Sequence, residues 1–209
     1  MIDWDSCVLW LDSKYFSESY WWDRSKYRND GVVYGAKWKG DAFYFNGSTD
    51  YIECGSHESL KITNEITIES LIYPVPPYQH NFGGIIFNVS GQSGSRLLVH
   101  NDGSPRAQIY IDGDRQNVEG LVVNNNDWNH LVYVYDGSEE VIYTNGVKGT
   151  PYPKTGNIDI GDEPIIIGWG YTSPSYYHFK ERIALLRLYN IGLNEEDIRI
   201  LNRIAHRRV

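Results

Sequence analysis

Short apolar runs that alternate with polar residues recur along the whole chain, most of them closed by glycine or by an Asn-Gly or Asp-Gly pair. They read CVLWLD, AFYFNG, YIECG, EITIESLIYP, GGIIFNVS, RLLVHN, AQIYIDG, WNHLVYVYDG, EVIYTNG, PIIIGWG and RIALLRLYN. A period of two sends alternate side chains to opposite faces, which is the pattern of a strand. Tyr135-Asp136-Gly137 and Thr144-Asn145-Gly146 mark tight reversals, because Asn and Gly tolerate positive φ. Runs this short and this numerous predict an all-β sandwich or jelly roll of antiparallel sheets. Seventeen tyrosines, seven tryptophans and twenty glycines, without Leu/Ala-rich heptads, point the same way. No linker and no internal repeat divides the 209 residues, so a single domain over 1–209 is expected.

Only the C-terminus reads as a helix. Asn194 can cap it, Leu193 can staple to Ile198, and Asp197 sits at the capping-box position. Ile198, Leu201 and Ile204 form a narrow apolar stripe. Glu195 and Glu196 open the helix and Arg203, Arg207 and Arg208 close it, matching its dipole. The helix is therefore expected to be a structural lid over the edge or base of the sandwich.

A formal charge of −8 argues against nucleic acid and anionic membranes as partners, and disfavours strongly anionic polysaccharides. No apolar run approaches a membrane span. The start, MIDWDSCVLWLD, has no basic n-region or long apolar h-region, which predicts no signal peptide. An excised domain of an exported protein fits that start, as does a virion component. Cys7 and Cys54 lie in strand-like runs and are expected to be buried thiols rather than a disulfide.

Five segments in order resemble the laminin-G-like members of the concanavalin A-like lectin/glucanase superfamily. VLWLD followed by WWDRSKYRNDGVVYGAKW resembles the opening strand and its Asp-x-Ser-Gly-x-Gly-Asn-x-Gly turn. AFYFNGSTDYIEC is similar to a Phe-x-Gly-x-x-Asp-Tyr-Val segment, and ITIESLIYP to a Phe-Thr-Ile-Glu-Ala-Trp-Val-x-Pro strand. DWNHLVYVYDGSEEVIYTNG resembles a Trp-x-His-Val-Ala strand with its hairpin, and FKERIALLRLYNIGLNEEDI the closing strand and helix. The resemblance implies a jelly-roll sandwich of two antiparallel sheets with a short C-terminal helix. Fold alone leaves lectin, adhesion and glycosidase functions open.

Glu65, Thr67 and Glu69 share one side of the EITIES strand, and paired carboxylates are what glycoside hydrolysis uses. Four residues span roughly 13 Å of extended chain, against the about 5–5.5 Å between the carboxyls of retaining enzymes. The superfamily's glucanases carry Glu-x-Asp-x-Glu on a similar strand, whereas Thr67 supplies neither charge nor proton partner. The resemblance makes Thr67 an expected residue and Glu69 an ordinary outward one. A glycosidase using Glu65 and Glu69 is the weakest of three readings. No Gly-x-Ser-x-Gly elbow, His-Glu-x-x-His or Cys-x-x-Cys is present. His130, at the Trp-x-His position, is expected to be packed and hydrogen bonded.

Sugars bind by stacking on aromatic rings while polar groups fix their hydroxyls. PVPPYQHNF offers Tyr78 and His80, and GWGYTSPSYYHF offers Trp169, Tyr171, Tyr176 and Tyr177. Trp22, directly before the Asp23 turn, is expected to pack. Asp50 matches the position from which the resemblance implies a calcium ligand, but the family's Ile-Asp-Glu-Val closing strand is here Ile183-Ala184-Leu185-Leu186, without either carboxylate. The leading expectation is a non-catalytic module that binds an oligo- or polysaccharide, or a surface glycoprotein, at a cell or particle surface. The alternative is an interaction protein without a sugar site, through self-association or virion partners.

Overall fold

The alternation is realised as a continuous antiparallel ladder that doubles back into two layers. The computed structural model describes residues 2–78, 81–172 and 175–208. In the first layer the strands Glu139–Thr144, Asn129–Tyr135, Ile66–Pro74 and Lys180–Tyr189 lie side by side. Beyond the closing strand Lys180–Tyr189, its far edge is shared by Ala42–Asn46 and the opening strand Cys7–Phe16. The second layer runs through Tyr20–Asp23, Gly31–Tyr34, Tyr51–Glu53 and Ile166–Ile167. It continues through Phe82–Ser90, Ser93–His100, Pro105–Ile111 and Asp114–Glu119. The layers are joined where the opening strand pairs with Tyr20–Asp23. This is the all-β jelly-roll architecture that the sequence predicts, with one α-helix among the described residues, at Glu195–His206.

Inward-facing residues of both layers make one core. Ile66, Ile68, Ile72, Leu131, Tyr133, Leu186 and Leu188 meet Ile52, Ile86, Leu97, Val99, Ala107 and Ile109 from the other sheet. Trp21 is fully buried there, while Trp22 is 39% exposed and stacks on Tyr20. The expectation that Trp22 packs is corrected by strand alternation, which gives the core position to its neighbour. The Asp23 turn is built on one carboxylate. Asp23 Oδ1 accepts from the amides of Trp10 and Ser25, and Oδ2 from the Asn29 amide and the Ser25 hydroxyl.

The middle of the first sheet's outer face is covered. The helix lays Ile198, Leu201 and Ala205 on it, where Ile198 and Leu201 meet Val132, Val134, Val141 and Tyr143. Burying each large aliphatic contributes about 1.5–3 kcal/mol. The stripe runs through Ala205 rather than Ile204, and covers a face rather than an edge. Asn194 caps the helix by accepting from the amides of Glu196 and Asp197. Arg208 makes a two-pronged ion pair with buried Asp12. Burial alone would raise the Asp12 pKa, but the Arg208 hydrogen bond brings it below its usual value. Cys7 lies in this outer cluster and Cys54 in the central core, both as free thiols. Burial pushes the Cys7 thiol up to about 12.

Candidate functional site

The EITIES strand is a clamp for the chain's last segment. Glu65 Oε2 accepts from the Gly192 amide at 2.9 Å. The Thr67 hydroxyl donates to the Ile191 carbonyl at 2.7 Å and accepts from the Leu193 amide at 3.0 Å. Glu69 is fully buried and takes Arg187 Nη1 at 2.9 and 3.1 Å, His130 Nε2 at 3.0 Å and the Tyr189 hydroxyl at 3.1 Å. A bulge between Ile183 and Leu185 in the closing strand shifts the register so that Arg187 stands directly opposite Glu69. The guanidinium lies over Trp10 and Trp4, at 4.6 and 5.2 Å from their ring centroids. Burial works to raise the Glu69 pKa, but Arg187 and the His130 hydrogen bond outweigh it and hold the carboxyl at about 2. Glu69 is thus neither solvent-facing nor able to reach a substrate, which corrects its reading as an ordinary outward residue and removes it as a catalytic group. His130 is packed and hydrogen bonded, as its position implies.

Asp50 serves its own turn. Its Oδ2 accepts from the Asn46 amide at 2.9 Å, and its Oδ1 lies 3.4 Å from the Thr49 hydroxyl. Asn46 Oδ1 accepts from the amides of Ser48 and Thr49. A calcium ion takes six to eight oxygens. Among the described residues no group of three or more His, Cys, Asp or Glu comes together.

Among the described residues no helix lies on the outer face of the second sheet. Its register places Phe87 opposite Arg96, Arg96 opposite Gln108, and Gln108 opposite Asn117, all on the side away from the core. The adjacent row pairs Leu98 with Arg106 and Arg106 with Glu119. Asp112 (φ 54°) and Gly113 (φ 72°) form the tight hairpin turn that fixes this pairing. Together with Phe82, Arg115 and Tyr177, these outward residues from Arg96 to Glu119 line a concavity of about 390 Å³. Phe82 and Tyr177 meet edge to face at 5.5 Å. Arg106 lies 5.1 Å above the Phe82 ring, and its Nε is 2.7 Å from Glu119 Oε1, close enough for an ion pair but not aligned as a hydrogen bond.

Gly170 and Tyr177 reach this wall because two glycines allow close approach. A Cβ at Gly170 would strike the Phe87 ring, and one at Gly84 would stand 2.6 Å from the Tyr177 carbonyl oxygen. Of the aromatics expected to bind sugar, Tyr177 lines the concavity. Trp169 is half-buried, with its ring 5.2 Å from Tyr51 and 6.1 Å from His178. Tyr171 and Tyr176 pair across a short hairpin, and their rings lie outside the described atoms. His80 lies outside the described residues. Tyr78 is buried over Gly83 and against Phe179, which corrects its reading as a stacking surface.

A laminin G-type family model, described as the concanavalin A-like lectin/glucanases superfamily, matches residues 46–199. The chain belongs to this superfamily. No curated protein matches it. Among solved structures, the binding domain of Paraclostridial Mosquitocidal Protein 1 is similar at a TM-score of 0.76 and 18% identity, covering 95% of this chain and 52% of that one. A structure of botulinum neurotoxin type C, whose cell entry depends on interaction with two ganglioside molecules, is similar at 0.74 and 14%, covering 97% and 52%. The binding domain of botulinum neurotoxin DC in complex with SialylT is similar at 0.70 and 14%, covering 97% and 52%. The superfamily member described here thus spans about half the length of these toxin structures, and at such identities shares their fold. No helix among its described residues is long and apolar enough to cross a membrane.

Proposed function

We propose that this superfamily member is a non-catalytic carbohydrate-binding module that docks glycans of a cell or particle surface on the uncovered face of its second sheet. One observation carries the reading. The helix covers the middle of the first sheet's outer face, whereas the second sheet presents a concavity lined by aromatic rings, amides and guanidinium groups. Phe82 and Tyr177 offer ring faces to the apolar side of a sugar, and Asn117 offers its amide nitrogen to the hydroxyls. The toxin binding domains of the same fold, with ganglioside and SialylT partners, support a surface-recognition role outside the cell. The burial of Glu69 supports the non-catalytic reading.

A glycan array probed with wild type, Phe82→Ala and Tyr177→Ala tests this. Wild type is expected to bind a defined glycan set, and each variant to lose at least about fivefold in affinity, as ring-stacking contributions of about 1–3 kcal/mol imply. Absence of binding to any glycan by folded wild type, or full binding by both variants, would refute it.

A further inference from the structure

Arg96 is 3% exposed, yet no carboxylate among the described residues stands within ion-pair distance of it. The other deeply placed arginines differ. Arg187 is paired with Glu69 and Arg208 with Asp12. Arg96 instead donates Nε to the Gln108 side-chain oxygen, and Gln108 in turn donates to Asn117, so that a cross-strand relay of amides holds the guanidinium in place. Phe87 and Tyr177 flank it at 5.6 and 5.8 Å. Its Nη1 is buried without a hydrogen-bond partner. A buried charge without a counter-charge is costly, and this one lines the concavity together with Arg106 and Arg115. Against the three arginines stands Glu119, which sits on Arg106. The local sign is therefore positive in a chain whose net charge is −8.

We infer that the concavity selects acidic glycans, with Arg96 as the fixed receptor for a carboxylate or sulfate substituent and Arg115 as its exposed second contact. This rests on the carbohydrate-binding reading and sharpens it. A guanidinium presents donors in a planar fork that matches both anions. The amide relay keeps that fork in one orientation before the ligand arrives, so little ordering is lost on binding. Charge on the whole molecule disfavours polyanions, but an oligosaccharide within the concavity meets the local field first.

Titration calorimetry with paired probes tests the inference: 3′-sialyllactose against lactose for the carboxylate, and a sulfated against a desulfated chondroitin tetrasaccharide for the sulfate. Wild type should bind at least one acidic probe tenfold or more tightly than its neutral or desulfated partner. Arg96→Met should remove that preference, and Arg115→Gln should weaken acidic binding several-fold and flatten its salt dependence. Arg115 is exposed, so its variant keeps the test decisive if Arg96→Met fails to fold. Equal affinity for both members of each pair overturns the inference while leaving the carbohydrate reading intact, as does an acid preference that survives both substitutions. Absence of binding to every probe and to the glycan array overturns both.

Discussion

Replacing Glu69 by Gln keeps the shape of the side chain and removes the only carboxylate paired with Arg187 among the described residues. Both groups are shut from water, with side-chain exposures of 0% and 1%. Breaking a buried pair on one side leaves an uncompensated charge and costs about 3–5 kcal/mol. The proton equilibrium gives a similar figure. Lowering the carboxyl from its ordinary 4.5 to about 2 corresponds to about 3 kcal/mol of folded-state preference for the ionised form. For a protein of this size the loss amounts to roughly 6–20 °C in Tm. The depressed pKa also sets the direction with pH. The stabilisation is fully present above about pH 4.5 and is lost as pH falls toward 2, because there the unfolded chain binds the proton first. Urea unfolding followed by tryptophan fluorescence at pH 7, 4, 3 and 2 should show wild type and Glu69→Gln far apart at neutral pH and converging in acid. Glu69→Leu combined with Arg187→Met should recover most of the loss, since an apolar pair of similar volume carries no buried charge. A Glu69→Gln variant within 1 kcal/mol of wild type at pH 7, with an unchanged acid limb, would refute the reasoning.

The neighbouring tryptophans of the Tyr20–Asp23 strand separate core from surface. Trp21→Ala should cost about 3–5 kcal/mol and Trp22→Ala under about 1 kcal/mol in chemical denaturation, and equal losses would mean that the strand faces the other way. Glu140 is buried with its Oε2 accepting from the Tyr133 hydroxyl, and burial raises its pKa to about 7 despite that bond and nearby Lys154. The folded state therefore holds a proton that the unfolded chain releases, and stability from this group falls as pH rises from about 4.5 through 7. Glu140→Gln should match wild type at pH 5 and exceed it at pH 8 by roughly 2–3 kcal/mol, read from urea midpoints; equal midpoints at pH 8 would count against it.

The long strands were legible because each alternates over five or more residues between turn signals, as in WNHLVYVYDG and EITIES. Tyr20–Asp23, Gly31–Tyr34 and Lys37–Lys39 were not, because runs of three or four residues carry too few periods to read. Asp114–Glu119 was hidden by its charged outward side, which resembles a loop. The helix and its cap were readable because capping is local. Glu69 was misjudged because an outward-facing position was equated with water, and only the path of residues 190–206 shows what covers that face. The arginine concavity is not legible in the sequence because Arg96, Arg106 and Arg115 stand nine or ten residues apart, and only strand register unites them. A signal was present. The Asp112-Gly113 turn pairs Gln108 with Asn117 and Arg106 with Glu119, and alternation then puts all four on the side opposite Ala107, Ile109 and Val118.

The closing strand lies inside the first sheet, with Ile66–Pro74 on one flank and the opening strand on the other. Cys7 and Tyr189 are direct partners although 182 positions separate them (189 − 7). Bringing such distant points together carries a loop-closure entropy of roughly 5 kcal/mol, repaid only when both flanks engage at once. The sheet therefore has a keystone rather than an end strand. Removing it would leave an open slot with unpaired backbone on both sides, a ready acceptor for the same strand from another copy. The meander from Phe82 to Glu119, assembled from neighbouring hairpins, carries no such dependence on distant sequence, so the face proposed to meet ligand is also the part of the sandwich that local pairing alone can organise.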